Sequence, residues 1–290
     1  MIILVLMCGT VAVVMNLGFP TWAQHPSTET VKQTEPDEQN QKTGLVVSKK
    51  IKAPKGMRLV WHDEFVGAAG LAPEATRWKI ETGTPGTGEI EVNTPKNLAL
   101  DGKGHLVITA RKHTAGYTSG RVTTEGRFET TYGRITARIK TPDGRGLMPA
   151  FWMLGTDFRQ HPWPASGEID IMERRGDLKD RTYATVQGPG YSGVGISRQY
   201  SLGPGGNFAA AFHVFTVDWT PSKITFTVDQ HLIQTVKRST VPGRWVFDHP
   251  FFIVLDLAVG NPFSGAPDAT TVFPAKMTVD YVRAYRFAAP

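Results

Sequence analysis

The chain has 290 residues, of which 40% are hydrophobic and 20% are charged, a balance that is ordinary for a globular protein and sufficient for a large buried core. The net charge is +6, but the Lys and Arg residues are scattered and no basic run exceeds the pair Lys49 and Lys50, so the composition does not favour a nucleic-acid partner. Cys8 is the single cysteine, which excludes an internal disulfide framework and a cysteine-based zinc site.

The N-terminal part of the chain divides into an apolar segment and a polar segment. Residues 2–15 form an apolar run that is shorter than a membrane span and typical of the hydrophobic part of a signal peptide, and a small-x-small sequence ends at Ala23. No Lys or Arg precedes the run, so an uncleaved N-terminal anchor is the alternative for residues 1–23. Residues 24–56 are polar and predict a disordered linker. The protein is therefore expected to be secreted, periplasmic or held at the cell surface.

Residues 57–290 contain short apolar runs with a period of two, separated by turn residues, and this pattern predicts strands. In chain order, the predicted strands are 59–61, 105–110, 133–140, 224–228, 252–259 and 277–287. Residues 101–104 predict a turn, and Asp229 with Gln230 predicts a tight hairpin. No long stretch has helical periodicity, and no internal repeat or second domain is visible. The pattern predicts one all-β domain, either a sandwich or a barrel.

One strand-like segment carries three acids within six residues. Its sequence is Gly-Glu-Ile-Asp-Ile-Met-Glu, residues 167–173. The two isoleucines alternate with Glu168 and Asp170, so the acids should lie on one face and the apolar pair on the other. Strict alternation would turn Glu173 to the apolar face, because its offset from Glu168 is odd. A β-bulge at Ile171 and Met172 would bring Glu173 back beside the other two acids.

Three carboxylates on one sheet face repel one another, so at least one of them should keep its proton at neutral pH. An ionised carboxylate beside a protonated one is the arrangement that glycoside hydrolysis uses, with one group as nucleophile and the other as proton donor. An acidic, solvated edge strand, with or without a bound metal ion, is the alternative that the spacing alone leaves open.

The acidic segment and its surroundings resemble a known family. Trp-Pro-Ala-Ser-Gly-Glu-Ile-Asp-Ile-Met-Glu, residues 163–173, resembles the bulged signature of glycoside hydrolase family 16 in its laminarinase-like (endo-1,3-β-glucanase) branch. The resemblance runs from about Met57 to Phe287. In family order, it continues in residues 61–65, 117–121, 132–134, 149–155, 188–193, 245–252 and 279–283.

The resemblance implies a fold and a mechanism. The fold is a concanavalin A-like jelly-roll β-sandwich of two curved antiparallel sheets, with a substrate cleft on the concave face. By resemblance, Glu168 is the nucleophile, Glu173 is the general acid/base, and Asp170 shares a proton with one or both. The family retains anomeric configuration, so the two glutamates should lie roughly 5–5.5 Å apart. No catalytic cofactor is implied.

Several further residues are candidates for substrate binding. Trp152, Trp163 and Tyr191 lie beside the acidic motifs and could stack on sugar rings, with core packing as the alternative. By resemblance, Glu89 lines the glycone side of the cleft and Arg121 lies near it, with a surface ion pair as the alternative for Arg121. The remaining tryptophans and three histidines are expected to be structural: Trp61, Trp78, Trp219, Trp245, His62, His213 and His249.

The chain also departs from the family pattern at positions that would contact substrate. Gln187 and Phe263 occupy the positions of a family histidine and tryptophan. Met148 stands where a tryptophan is usual, and Gly88 and Asp256 each stand where asparagine is usual. These departures do not affect the three acids, so the predicted reaction stays the same. They make the identity of the polysaccharide less certain to follow the family pattern.

Many family members bind a structural calcium ion on the convex face. By position, its ligands would be the Asp280 side chain and the backbone carbonyls of Glu64 and Gly104, since calcium prefers oxygen ligands. A carboxylate in a surface hydrogen bond is the alternative.

The resemblance thus predicts a monomeric, retaining endo-β-glucanase that hydrolyses 1,3-β linkages in laminarin-like glucans. Alternatives within the enzyme class are action on mixed-linkage glucan or galactan, and transglycosylation. A carbohydrate-binding, lectin-like protein without activity is the alternative from another class, although a lectin has no need of the three acids.

Overall fold

In the computed structural model, which describes residues 51–288, eighteen strands and two single-turn 3₁₀ helices make up the secondary structure. The first strands, in chain order, are β1 (Met57–Asp63), β2 (Lys79–Glu81), β3 (Glu91–Asn93), β4 (Leu98–Leu100), β5 (Leu106–His113), β6 (Gly116–Ser119), β7 (Arg121–Thr123), β8 (Glu129–Thr130) and β9 (Gly133–Lys140). The second half comprises β10 (Leu147–Gly155), β11 (Glu168–Glu173), β12 (Arg181–Gly188), β13 (Tyr191–Ser201), β14 (His213–Thr220), β15 (Lys223–Val228), β16 (His231–Lys237), β17 (Phe251–Val259) and β18 (Ala275–Phe287). The 3₁₀ helices are Pro95–Asn97 and Arg238–Thr240.

The predicted signal peptide or anchor, and the predicted linker as far as residue 50, lie outside the described residues. Residues 51–56 are described and lie outside any strand. The first strand begins at Met57, where the sequence predicts that the folded domain starts. In residues 51–288, no helix is long and apolar enough to cross a membrane.

Two sheets form a jelly-roll sandwich. The ten-stranded sheet has the order β16-β15-β14-β9-β18-β5-β6-β3, with β1 beside β18 and β4 beside β5. The eight-stranded sheet has the order β13-β12-β11-β10-β17-β7-β2, with β8 beside β17. Pairing is antiparallel except between β3 and β6. Neighbours that are distant in sequence, such as β10 and β17, are typical of a jelly roll and agree with the predicted fold class.

The core lies between the two sheets, where the inward-facing side chains of both form one apolar cluster. Trp219 of β14 meets Phe251 of β17 edge to face at 5.2 Å, so aromatic contacts join the sheets. Trp78, Trp219 and Trp245 are buried as predicted, and Trp61 packs partly buried against the same cluster.

The strand predictions are confirmed to within a few residues, because alternation reports which face is buried. Residues 133–140 coincide with β9, and the predicted strand at 252–259 lacks only Phe251. Asp229 and Gln230 both have positive φ, 47° and 70°, and join β15 to β16 as a two-residue hairpin. This left-handed pair matches the twist of antiparallel strands, which is why short polar residues occur at such turns.

Candidate active site

A β-bulge in β11 puts three acids on one face. On β12, Asp170 pairs with Thr185 but Glu173 pairs with Tyr183, so three steps along β11 match two steps along its neighbour. Ile171 and Met172 are both fully buried, and the extra residue of the bulge lies at this pair. Glu168, Asp170 and Glu173 therefore share the outer face of the eight-stranded sheet, which we call the catalytic face. The predicted bulge is confirmed.

The environment of the acids keeps protons on them. Burial raises the pKa of Glu168 to about 7, although hydrogen bonds from Asp170 and Gln187 and the charge of Arg121 act in the opposite direction. Burial, together with the charge of Glu168, raises the pKa of Glu173 to about 8. Asp170 is 2% exposed, and its pKa is raised by burial and by the two flanking glutamates. At neutral pH the trio thus holds both ionised and protonated carboxyl groups.

Strand β12 supplies polar partners for the acids from the same face. Gln187 pairs with Glu168 across the strands, and its Nε2 lies 3.5 Å from Glu168 Oε1. Thr185 lies opposite Asp170 across the strands, and its hydroxyl group acts to lower the pKa of Glu173. Of these residues, only Gln187 is predicted as a site residue from the sequence. Thr185 and Tyr183 are not, although the period of two along β12 places all three on one face.

On the other side of the acids, strands β10, β17 and β7 carry a charged cluster. Asp256 accepts hydrogen bonds from Trp152 Nε1 at 2.9 Å and from Arg121 at 3.0 Å. The Arg121 guanidinium also lies 4.0 Å from Glu89 and 3.9 Å from Glu81, and 5.6 Å from the Trp152 ring centroid. Trp152, Glu89 and Arg121 thus lie together, and their part in substrate binding stays a prediction. Glu81, which lies beside Arg121, carried no recognisable signal in the sequence.

The remaining predicted aromatic residues differ in exposure. Trp163 is 46% exposed and Phe263 39%, so both present apolar surface that a sugar ring could cover. Phe263 meets Tyr183 edge to face at 5.2 Å, which places it beside the strand that flanks Glu173.

Tyr191 does not match its predicted role as a stacking platform. The side chain is only 6% exposed, belongs to the apolar core and donates its hydroxyl to the Arg244 carbonyl at 2.8 Å. The ring packs toward Phe247, with centroids 6.5 Å apart, so neither face is free for a sugar. A neighbouring catalytic motif does not reveal on which side of a strand an aromatic side chain lies.

The three predicted calcium ligands lie where the end of β1 and the start of β5 meet the middle of β18. Asp63 pairs with Val282 and Val279 pairs with Leu106, so Glu64, which follows β1, and Gly104, which precedes β5, lie beside the middle of β18, where Asp280 is.

At this place the backbone geometry favours a bound cation, whereas the side-chain contacts do not. A methyl group added to Gly104 would lie 3.7 Å from the Glu64 carbonyl oxygen, so the two backbones approach closely. However, Asp280 accepts a hydrogen bond from Arg138 at 2.7 Å, and that pairing offsets its charge. Within residues 51–288, no three His, Cys, Asp or Glu side chains group as a metal site.

The fold and the acid trio together define a class of protein. An open sheet face that holds one carboxylate for attack and one protonated acid for the leaving oxygen is the machinery of a two-carboxylate glycoside hydrolase.

The comparison with known proteins identifies the family. The sequence profile of glycosyl hydrolases family 16 matches residues 87–283, and the chain belongs to this family of O-glycosyl hydrolases. A beta-glucanase of Rhodothermus marinus is 37% identical over 256 residues, which cover 81% of this chain and 87% of that protein.

Solved structures agree in fold and sequence. The endo-β-1,3-glucanase of Pyrococcus furiosus is 45% identical with a TM-score of 0.76, over 81% of this chain and 96% of that one. The laminarinase catalytic domain of Thermotoga maritima is 40% identical with a TM-score of 0.75, over 80% of this chain and 99% of that one.

Proposed function

We propose that the protein is a retaining endo-β-glucanase that hydrolyses 1,3-β linkages in laminarin-like glucans. The observation that carries the proposal is the bulge at Ile171 and Met172, because it gathers two glutamates and an aspartate on the outer face of one sheet. The similar proteins are glucanases and a laminarinase, and they support the same substrate class.

The surroundings of the two glutamates support their separate roles. Glu168 receives a hydrogen bond from Gln187 and the field of Arg121, both of which favour its ionised form as the nucleophile. Glu173 faces the charge of Asp256 and ranks higher in pKa, so it keeps the proton that the leaving oxygen needs. After the glycosyl-enzyme forms, the ionised Glu173 would take a proton from the attacking water.

The charge of the catalytic face supports a neutral polysaccharide. Glu81, Glu89 and Asp256 add to the three catalytic acids, while Arg121 is already engaged with Asp256 and Lys79 is paired with Glu125. A sulfated or uronic-acid chain would meet net repulsion on this face. We therefore rank neutral β-glucans above sulfated galactans.

A substrate panel tests the proposal. The purified protein would be incubated with laminarin, lichenan, agarose and porphyran, and new reducing ends and product lengths would be measured, with Glu168→Gln as the inactive control. We expect the fastest release from laminarin, as oligosaccharides of several lengths, with β-configured products by NMR at early times. Binding without new reducing ends would favour the lectin-like alternative, and products longer than the substrate would favour transglycosylation.

Export and monomeric state belong to the same proposal. The apolar run at residues 2–15 and the polar stretch at 24–56 support a protein delivered outside the cytoplasm. Mass spectrometry of the N-terminus from fractionated cells would show whether residues 1–23 are removed. Size-exclusion chromatography with light scattering should give the mass of one chain.

A structural calcium ion is a further part of the proposal, distant from the reaction. The Glu64 and Gly104 carbonyls and the Asp280 carboxylate would hold the ion and join β1 and β5 to the middle of β18, and no step of hydrolysis depends on it. The close approach of Gly104 to Glu64 supports this site, whereas the Arg138–Asp280 pair opposes it. We expect calcium to raise the melting temperature of the wild type but not of Asp280→Asn, and an equal response of both would reject the site.

A further inference from the structure

We propose that Asp256 is a positioning residue that holds Trp152 and Arg121 with its two carboxylate oxygens and so fixes the floor of the catalytic face beside the acids. Asp256 is 2% exposed, and each oxygen has one partner: Oδ1 accepts from Trp152 and Oδ2 from Arg121. This inference rests on the hydrolytic function proposed above and adds a residue to it.

The sheet register places Asp256 in one row with the acid Glu173. Asp256 pairs with Ala150 on β10, and Ala150 pairs in turn with Glu173 on β11. Two strand spacings separate the backbones, about 10 Å. The residue between them in this row, Ala150, has only a methyl side chain and carries no charge.

The partner Trp152 connects Asp256 to the middle of the acid trio. Trp152 lies on β10 directly opposite Asp170, and its indole N–H points at Asp256. One end of the ring system is therefore tied to a buried carboxylate, while Arg121 lies over the ring. Because Asp256 holds the indole N–H and Arg121 covers the ring, the Trp152 side chain beside Asp170 is kept in one conformation.

The second partner, Arg121, is anchored by Asp256 more closely than by its other acids. The nearest approach is 3.0 Å to Asp256, compared with 3.9 Å to Glu81 and 4.0 Å to Glu89. A buried guanidinium needs such a partner, because an unpaired charge out of water is costly. Asp256 therefore determines where the positive charge of Arg121 acts.

The negative charge of Asp256 also affects the catalytic acids, so the pH dependence of hydrolysis can be used to test the proposal. The groups that face Glu173 from the elements around it are Glu168 and Asp170 on β11, Tyr183 on β12, Asp256 on β17 and, behind Asp256, Arg121 on β7. Asp256 raises the pKa of Glu173, after burial and Glu168, by repulsion between like charges. Removing that charge should therefore favour the ionised form of Glu173.

The substitution Asp256→Asn tests the proposal, because it keeps the shape and removes the charge. An amide has only one acceptor oxygen, so its NH₂ group must face either the Trp152 N–H or the Arg121 guanidinium, and one contact is lost. Asp218→Asn is the matched control, since Asp218 also pairs with an arginine, Arg134, but on the other sheet.

We expect kcat/KM of Asp256→Asn to fall about tenfold or more, with the alkaline limb of its pH profile moved down by about one unit. The limb moves down because Glu173 loses its proton more readily when residue 256 carries no negative charge. Asp218→Asn should keep the wild-type profile. An unmoved alkaline limb in Asp256→Asn would overturn the proposal, whatever the rate.

A second measurement does not require turnover and separates this inference from the proposed function. In protein labelled with ¹⁵N-tryptophan, the Trp152 indole N–H, assigned with Trp152→Phe, should exchange slowly with solvent. In Asp256→Ala that protection should be lost, while the buried Trp219 indole, which donates to Phe247 O, keeps its own. Equal protection of Trp152 in wild type and Asp256→Ala would reject the positioning role even if the protein proved inactive on every glucan.

Discussion

Asp170 and Glu173 lie on the same face of β11 although they are an odd number of positions apart, because the bulge at Ile171 and Met172 places one extra residue on the core side. The bulge joins the two functions of this strand: its apolar side chains complete the core, and its acids form the site. A test of the register is therefore also a test of the chemistry.

The register leads to a pair of opposite expectations. Inserting one alanine between Met172 and Glu173 should turn Glu173 toward the core and abolish hydrolysis, since one extra residue reverses every later side chain. Deleting Met172 leaves an even offset from Asp170, so the acids keep their face at a cost of roughly 2–5 kcal/mol for the lost buried side chain. Reducing-sugar assays and thermal melts of both variants check this, and an active insertion variant would contradict the register.

The nucleophile assignment predicts a large loss of rate without a loss of folding. Glu168→Gln should lower kcat by about a thousandfold or more, because the amide cannot form the glycosyl-enzyme. The control Glu74→Gln alters an exposed glutamate that pairs with Arg77 and should retain normal rates. Initial rates on laminarin with circular dichroism of each variant provide the measurement. Near-normal turnover by Glu168→Gln would remove Glu168 from this role.

The pKa order of the two glutamates predicts a bell-shaped pH profile. Hydrolysis requires Glu168 ionised and Glu173 protonated, so kcat/KM should rise through about 7 and fall through about 8. These limbs belong to the coupled trio rather than to single residues. In Glu173→Gln the alkaline limb should disappear together with most of the rate on substrates with poor leaving groups. The range from roughly pH 6 to roughly pH 9 includes both limbs, and a kcat/KM that stays constant over this range would contradict the assignment.

The same shifts predict a stability that falls with rising pH. The pKa of Glu173 is raised from 4.5 to about 8, so its contribution to stability is fully present below pH 4.5 and is lost as the pH rises through about 8. At alkaline pH, Glu173→Gln should therefore have a higher melting temperature than the wild type, because the variant carries no buried charge at this position. The difference should be roughly 2–4 °C for each kcal/mol that the buried charge costs. At acidic pH the two melting temperatures should converge. Scanning calorimetry of both proteins at acidic and at alkaline pH measures this difference in melting temperature. A difference that does not change with pH would show that ionisation of Glu173 is not the cause.

The different exposures of Trp163 and Tyr191 predict different phenotypes. Trp163→Ala removes a side chain that is 46% exposed and should raise KM for laminarin several-fold with little change in melting temperature. Tyr191→Phe loses the buried hydrogen bond to Arg244 O and should lower stability by about 1 kcal/mol without altering KM. Kinetics and melts of both variants check the contrast. A raised KM in Tyr191→Phe alone would return Tyr191 to the substrate site.

Much of the site could be predicted because its geometry depends on residues that are close together in the sequence. Alternation within residues 168–173 shows that Glu173 falls out of phase, and the proximity of the acids then requires a bulge. The same period predicts β9 and β17 nearly to the residue, and the pair Asp229 and Gln230 predicts its hairpin. The positions named by family resemblance, such as Glu89 and Arg121, also lie together in the structure.

Taken alone, the sequence determined the strand-rich fold, the bulged acid strand and the carboxylate chemistry, since each depends on neighbours a few residues apart. Only the tertiary structure decided that Tyr191 is buried and that Asp256 holds both Trp152 and Arg121, the latter 135 residues away in the chain. The physical reason is that the order of strands in a sheet determines which side chains become neighbours. That order depends on the packing of the whole sandwich and not on the period of any one strand.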